Sequence, residues 1–303
     1  MPEIRIPAFA KVNLRLDILG KRADGYHELR TIFQSISLSD ELRIRSTRRP
    51  GISLTIFGNE ALSRESAQDN LVYRAVSALV RELQVRSGVE IELYKKIPAG
   101  RGLGGGSSDA AAALLGFLRL TQAELPDERL IAIAASLGAD VPFFLFGGRA
   151  LGIGRGDEIY PLPDISKQFL LVVSPREIHV PTPDAYRWLK ARALTKSAAT
   201  PKLFEFCALC WSAPATAGGH GIGLCNDFEG PVFRRHPRLG RIKRILLQRG
   251  AIEASLAGSG SAVFGVFPSP AMARRAAVGF PHDQTFVCET LSRDRYLRAL
   301  HGA

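Results

Sequence analysis

The run Pro98-Ala99-Gly100-Arg101-Gly102-Leu103-Gly104-Gly105-Gly106-Ser107-Ser108-Asp109 sets five glycines in seven positions and ends in two serines before an alanine stretch. Glycines at that density remove Cβ atoms, so a loop can turn sharply and bring successive backbone N–H groups against an anion. Residues Ser107 to Leu120 are rich in alanine and leucine and contain no proline, so the loop empties into a helix. The unpaired first amides of that helix and its positive dipole end face the same ligand. Loop and helix start together form a phosphate cradle. A second set of residues has the types for proton chemistry. Asp140 lies between an apolar helix and the apolar run Phe143-Phe144-Leu145-Phe146, where a carboxylate is costly without a cation. Lys11, in the equally apolar Ala10-Lys11-Val12, is its natural partner, either as a catalytic couple or as a structural ion pair.

Two common phosphate motifs fit the glycine run poorly. A Walker-type loop needs lysine before the serine, and Gly106-Ser107 has none. A dinucleotide fingerprint can be laid on Gly100, Gly102 and Gly105. That motif, however, follows a strand directly, and here Lys95-Lys96-Ile97-Pro98 intervenes. A flexible linker is the remaining alternative, and the alanine-rich helix behind the run argues against it.

The elements that must position these residues can be read from periodicity. Ile4–Phe9, Val12–Leu19, Glu41–Ser46 and Ile52–Phe57 alternate as strands. Asn70–Arg86 has apolar residues three and four apart and predicts a helix stopped by Gly88, followed by a strand over Val89–Tyr94. Asp127 is expected to cap a helix through Leu137, Pro161–Lys167 reads as a connector, and Phe169–Ser174 as a strand. Further on, helices are expected around Asp184–Ala193, Pro201–Trp211 and Pro237–Arg249, with strands at Ser255–Leu256 and Ala262–Phe267. This mixed order of strands and helices predicts an α+β protein with two lobes.

Composition narrows the class. The 303 residues suffice for two lobes and for burying about 75% of the unfolded surface. With 46% hydrophobic and 23% charged residues the chain has ordinary globular composition, and no apolar run reaches spanning length. No apolar secretion core precedes Ala8, so a cytoplasmic protein without membrane partners is expected. The net charge of +11 suits anionic substrates. The basic stretch Arg234–Arg249 has Leu239, Ile242 and Leu246 on one face, as in a solvated amphipathic helix; without interleaved aromatics, no nucleic-acid partner is expected. Cys207 and Cys210 sit in an apolar run without a second pair at zinc spacing and read as two thiols on adjacent turns.

Two more motifs accompany the glycine run. Pro7-Ala8-Phe9-Ala10-Lys11-Val12-Asn13-Leu14 and Leu256-Ala257-Gly258-Ser259-Gly260-Ser261-Ala262 flank it in order. Together the three resemble the conserved blocks of the GHMP kinases, the superfamily of galactokinase, homoserine and mevalonate kinases. Lys11-Val12-Asn13-Leu14, Arg22-Ala23-Asp24-Gly25-Tyr26-His27, Gly138-Ala139-Asp140-Val141-Pro142, Pro181-Thr182-Pro183 and Asn226-Asp227 resemble one branch of it, over essentially the whole length. That branch phosphorylates a cytidine-diphosphate-linked methylerythritol with ATP in the non-mevalonate route to isoprenoids.

The resemblance implies a two-lobe GHMP kinase fold. Its N-terminal ATP-binding lobe spans 1–160, with a left-handed βαβ unit, and its C-terminal ferredoxin-like lobe spans 161–303. It implies that Asp140 takes or orients the proton of the substrate's 2-hydroxyl while Lys11 faces the γ-phosphoryl. Residues Pro98 to Ser108 are implied to hold ATP, with Asn70 and Lys95 on the adenine side; for Lys95 a solvated lysine is the alternative. Arg101 either adds a phosphate contact or points to solvent. Tyr26 and Tyr186 are implied to sandwich the cytosine, with His27 on its polar edge. Asn13, Phe33 and Thr182 line the erythritol end, and Gly258, Ser259 and Gly260 close over the phosphates. Phe33 could equally be core, and His27 a turn residue. Magnesium is expected with ATP, without assigned ligands, and the chain is expected to be a monomer or weak homodimer. A kinase for homoserine or mevalonate, and a non-catalytic ligand sensor on the same scaffold, are the competing readings.

Overall fold

The structure, a computed structural model, describes residues 2–189 and 223–302. The expected helix over Pro201–Trp211, with Cys207 and Cys210, lies outside the described residues, as does the end of the Asp184–Ala193 helix. The chain opens with two long antiparallel strands, β1 (Glu3–Lys21) and β2 (His27–Thr47). The two strands expected at Ile4–Phe9 and Val12–Leu19 are one. The break between them is a set of register shifts at Phe9/Lys11, Asn13/Arg15 and Ile18/Gly20. Such bulges bend a strand and re-aim its side chains, and Lys11 and Asn13 lie between the first two.

Next come β3 (Ile52–Phe57), a short helix α1 (Glu60–Arg64), α2 (Leu71–Glu82) and β4 (Gly88–Tyr94). The β3 and β4 strands pair in parallel with α2 in their crossover. The Asn70 side chain caps α2 by accepting from the Val72 N–H at 2.9 Å, and Val72, Ala75, Val76 and Leu79 are buried. This helix ends four residues before Arg86, because Gln84 turns to φ +52° to lead into β4. The long helix α3 (Gly105–Thr121) is buried on several sides. At Gly116 a Cβ would come within 2.7 Å of Ile44 Cδ1, so glycine lets α3 lie flat on the sheet. Helix α4 (Asp127–Leu137) takes Pro126, not Asp127, at its cap position, and the turn α5 (Phe143–Phe146) follows Pro142. The hairpin of β5 (Arg149–Ile153) and β6 (Glu158–Pro161) pairs onto β2.

The second sheet orders as β11-β7-β10-β9, all antiparallel, from β7 (Phe169–Ser174), β9 (Glu253–Leu256), β10 (Val263–Phe267) and β11 (Gln284–Glu289). Helices α6 (Thr182–Leu189), α7 (Glu229–Arg235) and α8 (Pro237–Gln248) lie between β7 and β9, and α9 (Pro270–Ala277) between β10 and β11. This is the ferredoxin-like order. Alternation along β7 decides the layering: Leu171 and Val173 face these helices, while Leu170 and Val172 pack with Ala10, Val12, Leu14 and Ile36 of the first sheet. The two sheets therefore share one apolar seam. Two pieces of the later chain also return to the first sheet. The short strand β8 (Cys225–Asn226) pairs in parallel with β1, and α10 (Arg293–His301) buries Tyr296 and Leu300 in its core.

Tyr296 is 1% exposed, lies 5.4 Å from the Phe9 ring and donates its hydroxyl to the Phe144 carbonyl at 2.6 Å. Tyr296→Ala is expected to cost about 3–5 kcal/mol in urea unfolding, against under about 0.5 kcal/mol for a polar change at the exposed Val278. Equal effects would show that α10 is not part of this core.

Candidate active site

Between the sheets lies a cleft of about 1120 Å³, walled by the glycine loop, the 136–140 segment, the β1–β2 turn, α6 and the Gly258–Ser259 turn. The Lys11 ammonium lies at its floor. Its side chain is 4% exposed, and Nζ donates to Asn13 Oδ1 at 2.8 Å and sits 3.4 Å from Asp140 Oδ2. Asn13 is in turn fixed by donating to Thr31 Oγ1 at 2.7 Å, whose hydroxyl donates to the Arg15 carbonyl at 2.8 Å. Phe33, 2% exposed, stacks on Phe143 and lies 5.3 Å beneath Lys11 Nζ, so it is both core and cleft floor. The Asp140 carboxylate is 34% exposed and is the only acidic side chain on the cleft wall among the described residues. One end of its carboxylate is therefore open to a ligand hydroxyl.

The glycine loop reaches this pair because side chains are missing where it passes. A Cβ on Gly104 would lie 2.7 Å from Phe144 Cζ and 3.0 Å from Lys11 Cγ, and one on Gly258 3.4 Å from Lys11 Nζ. A Cβ on Gly102 would overlap the Ala257 carbonyl at 1.8 Å. Gly100, Gly102 and Gly104 all have positive φ. The Lys11 N–H donates to the Leu103 carbonyl at 3.0 Å, tying the loop to β1. Arg101 lines the cleft half-buried, where it donates to Ser261 Oγ at 2.8 Å and the Arg176 carbonyl at 3.0 Å, and burial lowers its pKa. The Asn226 amide donates to the Leu256 and Gly258 carbonyls, both at 2.8 Å, and the Ser259 and Thr182 hydroxyls lie 2.9 Å apart. Gly260, at φ +97°, donates its N–H to Ala257.

Pro98, Gly100 through Ser107, Gly258 and Ser259 line the cleft, whereas Ala99, Ser108 and Gly260 do not. Asn70 caps α2 through its Oδ1, next to the cleft-lining Leu71. Lys95 is not a solvated lysine. Its side chain is 3% exposed and its ammonium donates to Asp40 at 2.5 Å and to Asp109 at 2.6 Å, off the cleft wall. Burial, with Asp40 adding to it against the pull of Lys95, pushes the Asp109 carboxyl up to about 8; two carboxylates sharing one ammonium leave an excess charge that a proton relieves.

The opposite wall is aromatic. Between β1 and β2, Arg22 pairs with Asp24 and Glu28, Asp24 accepts from the Tyr26 N–H, and Gly25 at φ +88° turns the chain so that Tyr26 stands 56% exposed. His27, expected at the polar edge of a base, stacks on Tyr186 with ring centroids 4.5 Å apart. Tyr186 meets Phe228 edge-on at 4.9 Å, and burial, with Asp140 nearby, raises its phenol to about 12. Lys21, Arg155 and Phe228 were missed in the sequence. The Arg155 guanidinium lies 5.0 Å over the Tyr26 ring and bonds to Asp157. The glycines on either side of it, Gly154 and Gly156, were the available signal. Asp17, Cys225 and Asp227 bring ligand atoms within 4.8 Å of one another but lie off the cleft wall, where Asp17 pairs with Arg15 and Asp227 accepts from the Ile18 N–H.

A lysine–carboxylate pair under a glycine-cradled helix start, in a cleft between an α+β lobe and a ferredoxin-like lobe, defines a small-molecule kinase of the GHMP class. Residues 70–148 match the GHMP kinases N terminal domain, and 215–281 the GHMP kinases C terminal domain. The 4-diphosphocytidyl-2-C-methyl-D-erythritol kinase of Solibacter usitatus is 47% identical over 298 residues, covering 97% of this chain and 90% of its own. That of Moorella thermoacetica is 40% identical, covering 96% and 100%. A crystal structure of 4-(cytidine 5'-diphospho)-2C-methyl-D-erythritol kinase superposes with a TM-score of 0.78 at 35% identity, covering 95% of this chain and 99% of the other. Homoserine kinase from Cytophaga hutchinsonii shares the fold with a TM-score of 0.73 at 20% identity, covering 96% and 95%. The chain belongs to the 4-diphosphocytidyl-2-C-methyl-D-erythritol kinase family.

The clash at Gly102 makes a direct test. Gly102→Ala is expected to lower stability by about 1–3 kcal/mol, since both its φ and its space exclude a side chain. Gly230→Ala, in α7 with open surroundings, should gain up to about 1 kcal/mol. Thermal unfolding that left Gly102→Ala unchanged would contradict the close approach of the two loops.

Proposed function

We infer that this chain transfers the γ-phosphoryl of ATP to the 2-hydroxyl of 4-diphosphocytidyl-2-C-methyl-D-erythritol, giving the 2-phosphate and ADP in non-mevalonate isoprenoid synthesis. The observation that carries this reading is the Lys11–Asp140 pair at 3.4 Å in a cleft with a phosphate cradle on one side and Tyr26, His27 and Tyr186 on the other. The nucleotide's phosphates fit the loop from Pro98 to Ser107, where missing Cβ atoms leave backbone amides exposed to them. The acceptor hydroxyl meets the open oxygen of Asp140, which accepts its proton. Lys11, held by Asn13 and unable to swing away, stabilises the negative charge developing between acceptor and phosphorus. Positioning carries most of the effect, because the loose transition state of phosphoryl transfer asks little of base strength.

Magnesium bound to the triphosphate would neutralise charge at transfer. With Asp140 as the one cleft carboxylate among the described residues, the residues fit a cation carried in by the nucleotide rather than a protein-built site. The cytosine meets the aromatic wall, with Tyr26 offering a ring face and His27 a donor and an acceptor. We assign residues 1–160 to the ATP-binding lobe and 161–303 to the second, whose described residues include β8 and α10 crossing back to the first sheet. No helix among the described residues is long and apolar enough to cross a membrane. The enzyme is proposed to act in the cytoplasm as a monomer or weak homodimer.

Coupled ADP release should respond to the cytidylyl substrate and not to homoserine or mevalonate. Asp140→Asn should lower kcat by about 100-fold or more with little change in the KM for ATP. Turnover of homoserine or mevalonate alone would overturn the substrate assignment. Burial and the neighbouring Lys21 hold the His27 imidazole below its ordinary range, so it is neutral at pH 7. The KM for the cytidylyl substrate is accordingly expected to stay level from pH 7 upward and to rise only in acid, as His27 gains its proton. A KM rising instead on the alkaline side would remove His27 from base recognition.

A further inference from the structure

Lys95, Asp40 and Asp109 take no part in the chemistry above, yet all three are ionisable and nearly sealed from solvent, with side chains 3%, 0% and 4% exposed. They come from three elements. Asp40 is on β2, Lys95 directly follows β4, and Asp109 is the fifth residue of α3. Asp40 holds more than the ammonium: its Oδ1 accepts the Lys96 N–H and, at 2.8 Å, the Ile97 N–H. The Lys95 N–H donates to the Phe57 carbonyl at 2.9 Å, anchoring the same point to β3. On the far side of the loop, a Cβ on Gly105 would stand 3.3 Å from Lys95 Nζ and 3.0 Å from Ile97 Cγ2, so the start of α3 rests on this cluster. The residues entering the phosphate loop (95–97) and those leaving it (105–109) thus meet at a single ammonium. The seven residues between them must arch over a span which that ammonium sets.

We propose that Lys95, Asp40 and Asp109 are positioning residues that fix the width of the phosphate-binding loop, and through it the grip on the triphosphate, and that Lys95 is not itself a nucleotide contact. A buried salt bridge contributes little net stability compared with apolar packing, but removing one partner strands the other charge. Such a device is suited to holding geometry. The inference rests on the kinase reading of the loop, and its test separates the two.

The test is a cycle of Lys95→Met, Asp109→Leu and the double variant in the full-length chain, with steady-state kinetics for both substrates and amide exchange without nucleotide. Each change is expected to raise the KM for ATP by about 10-fold or more, with kcat and the KM for the alcohol substrate within about 3-fold, because the loop shifts while Lys11 and Asp140 stay in place. The double variant should be no worse than either single change, since both break one clasp. Where a single variant fails to fold, the double variant combined with Asp40→Asn carries the test, because no ionisable side chain of the cluster is then left without its partner, while the amide oxygen at position 40 can still accept the Lys96 and Ile97 N–H groups. Its amides over 96–108 should exchange faster than in the native chain, with the second sheet unchanged. An ATP defect in Lys95→Met but not in Asp109→Leu would make Lys95 a direct contact and overturn the proposal, as would unchanged exchange over 96–108. A native chain that binds no ATP would instead overturn the kinase reading.

Discussion

An ammonium at the floor of an apolar seam has to be neutralised, and the arrangement around Lys11 follows from that requirement. Withdrawing such a charge from water costs several kcal/mol unless hydrogen bonds and an opposite charge replace the lost solvent. Asn13 supplies the short bond and Asp140 the charge. Asn13 is itself locked by Thr31 on the paired strand, so the amine's direction is set by the β1–β2 register rather than by its own flexible stem. The register shifts on either side of Lys11 and Asn13 direct both side chains to the cleft from a strand otherwise committed to the core.

Because this charge sits at the base of the cleft, whatever covers it must come very close. The glycines at 102, 104 and 258 permit that approach, each standing where a methyl group would collide with, or press against, backbone, an aromatic ring or Lys11 itself. The same closeness makes the two glycine turns a single structure. Arg101 reaches from one loop to Ser261 beside the other, and the Ala262 N–H donates to the Arg101 carbonyl at 3.2 Å. Asn226 fixes the second turn from behind while sitting on a strand that pairs with β1. The lobes are thus coupled through backbone contacts at the site as well as through the apolar seam.

Much of this was legible in the linear chain. Amphipathic spacing located α2 and α8, and alanine and leucine content located α3, to within a few residues; alternation located β3, and β4, β7 and β10 also lie within a few residues of the strands expected there. The glycine run announced a phosphate cradle, since no packing demand explains such density. The short elements α5, β6 and β8 left no periodic trace. The long β1 read as two strands because a bulge interrupts alternation just as a loop does. Arg155 and Phe228 gave little signal, because a lone arginine in a hairpin turn and a lone phenylalanine before a helix are ordinary surface and core residues until their neighbours are known.

Residue types and spacing determined which groups are available here: a cradle for phosphate, an amine and an acid in apolar surroundings, and an exposed aromatic on a tight turn. They did so because backbone freedom, helix periodicity and the cost of burying charge are properties of short segments. Which groups meet was decided by the tertiary structure. Lys95 became a buried strut rather than a solvated side chain, His27 found Tyr186, and Arg101 found Ser261. Each of these pairings joins different elements of the fold. They depend on how the strands register and how the two sheets pack, and a local pattern does not contain that information.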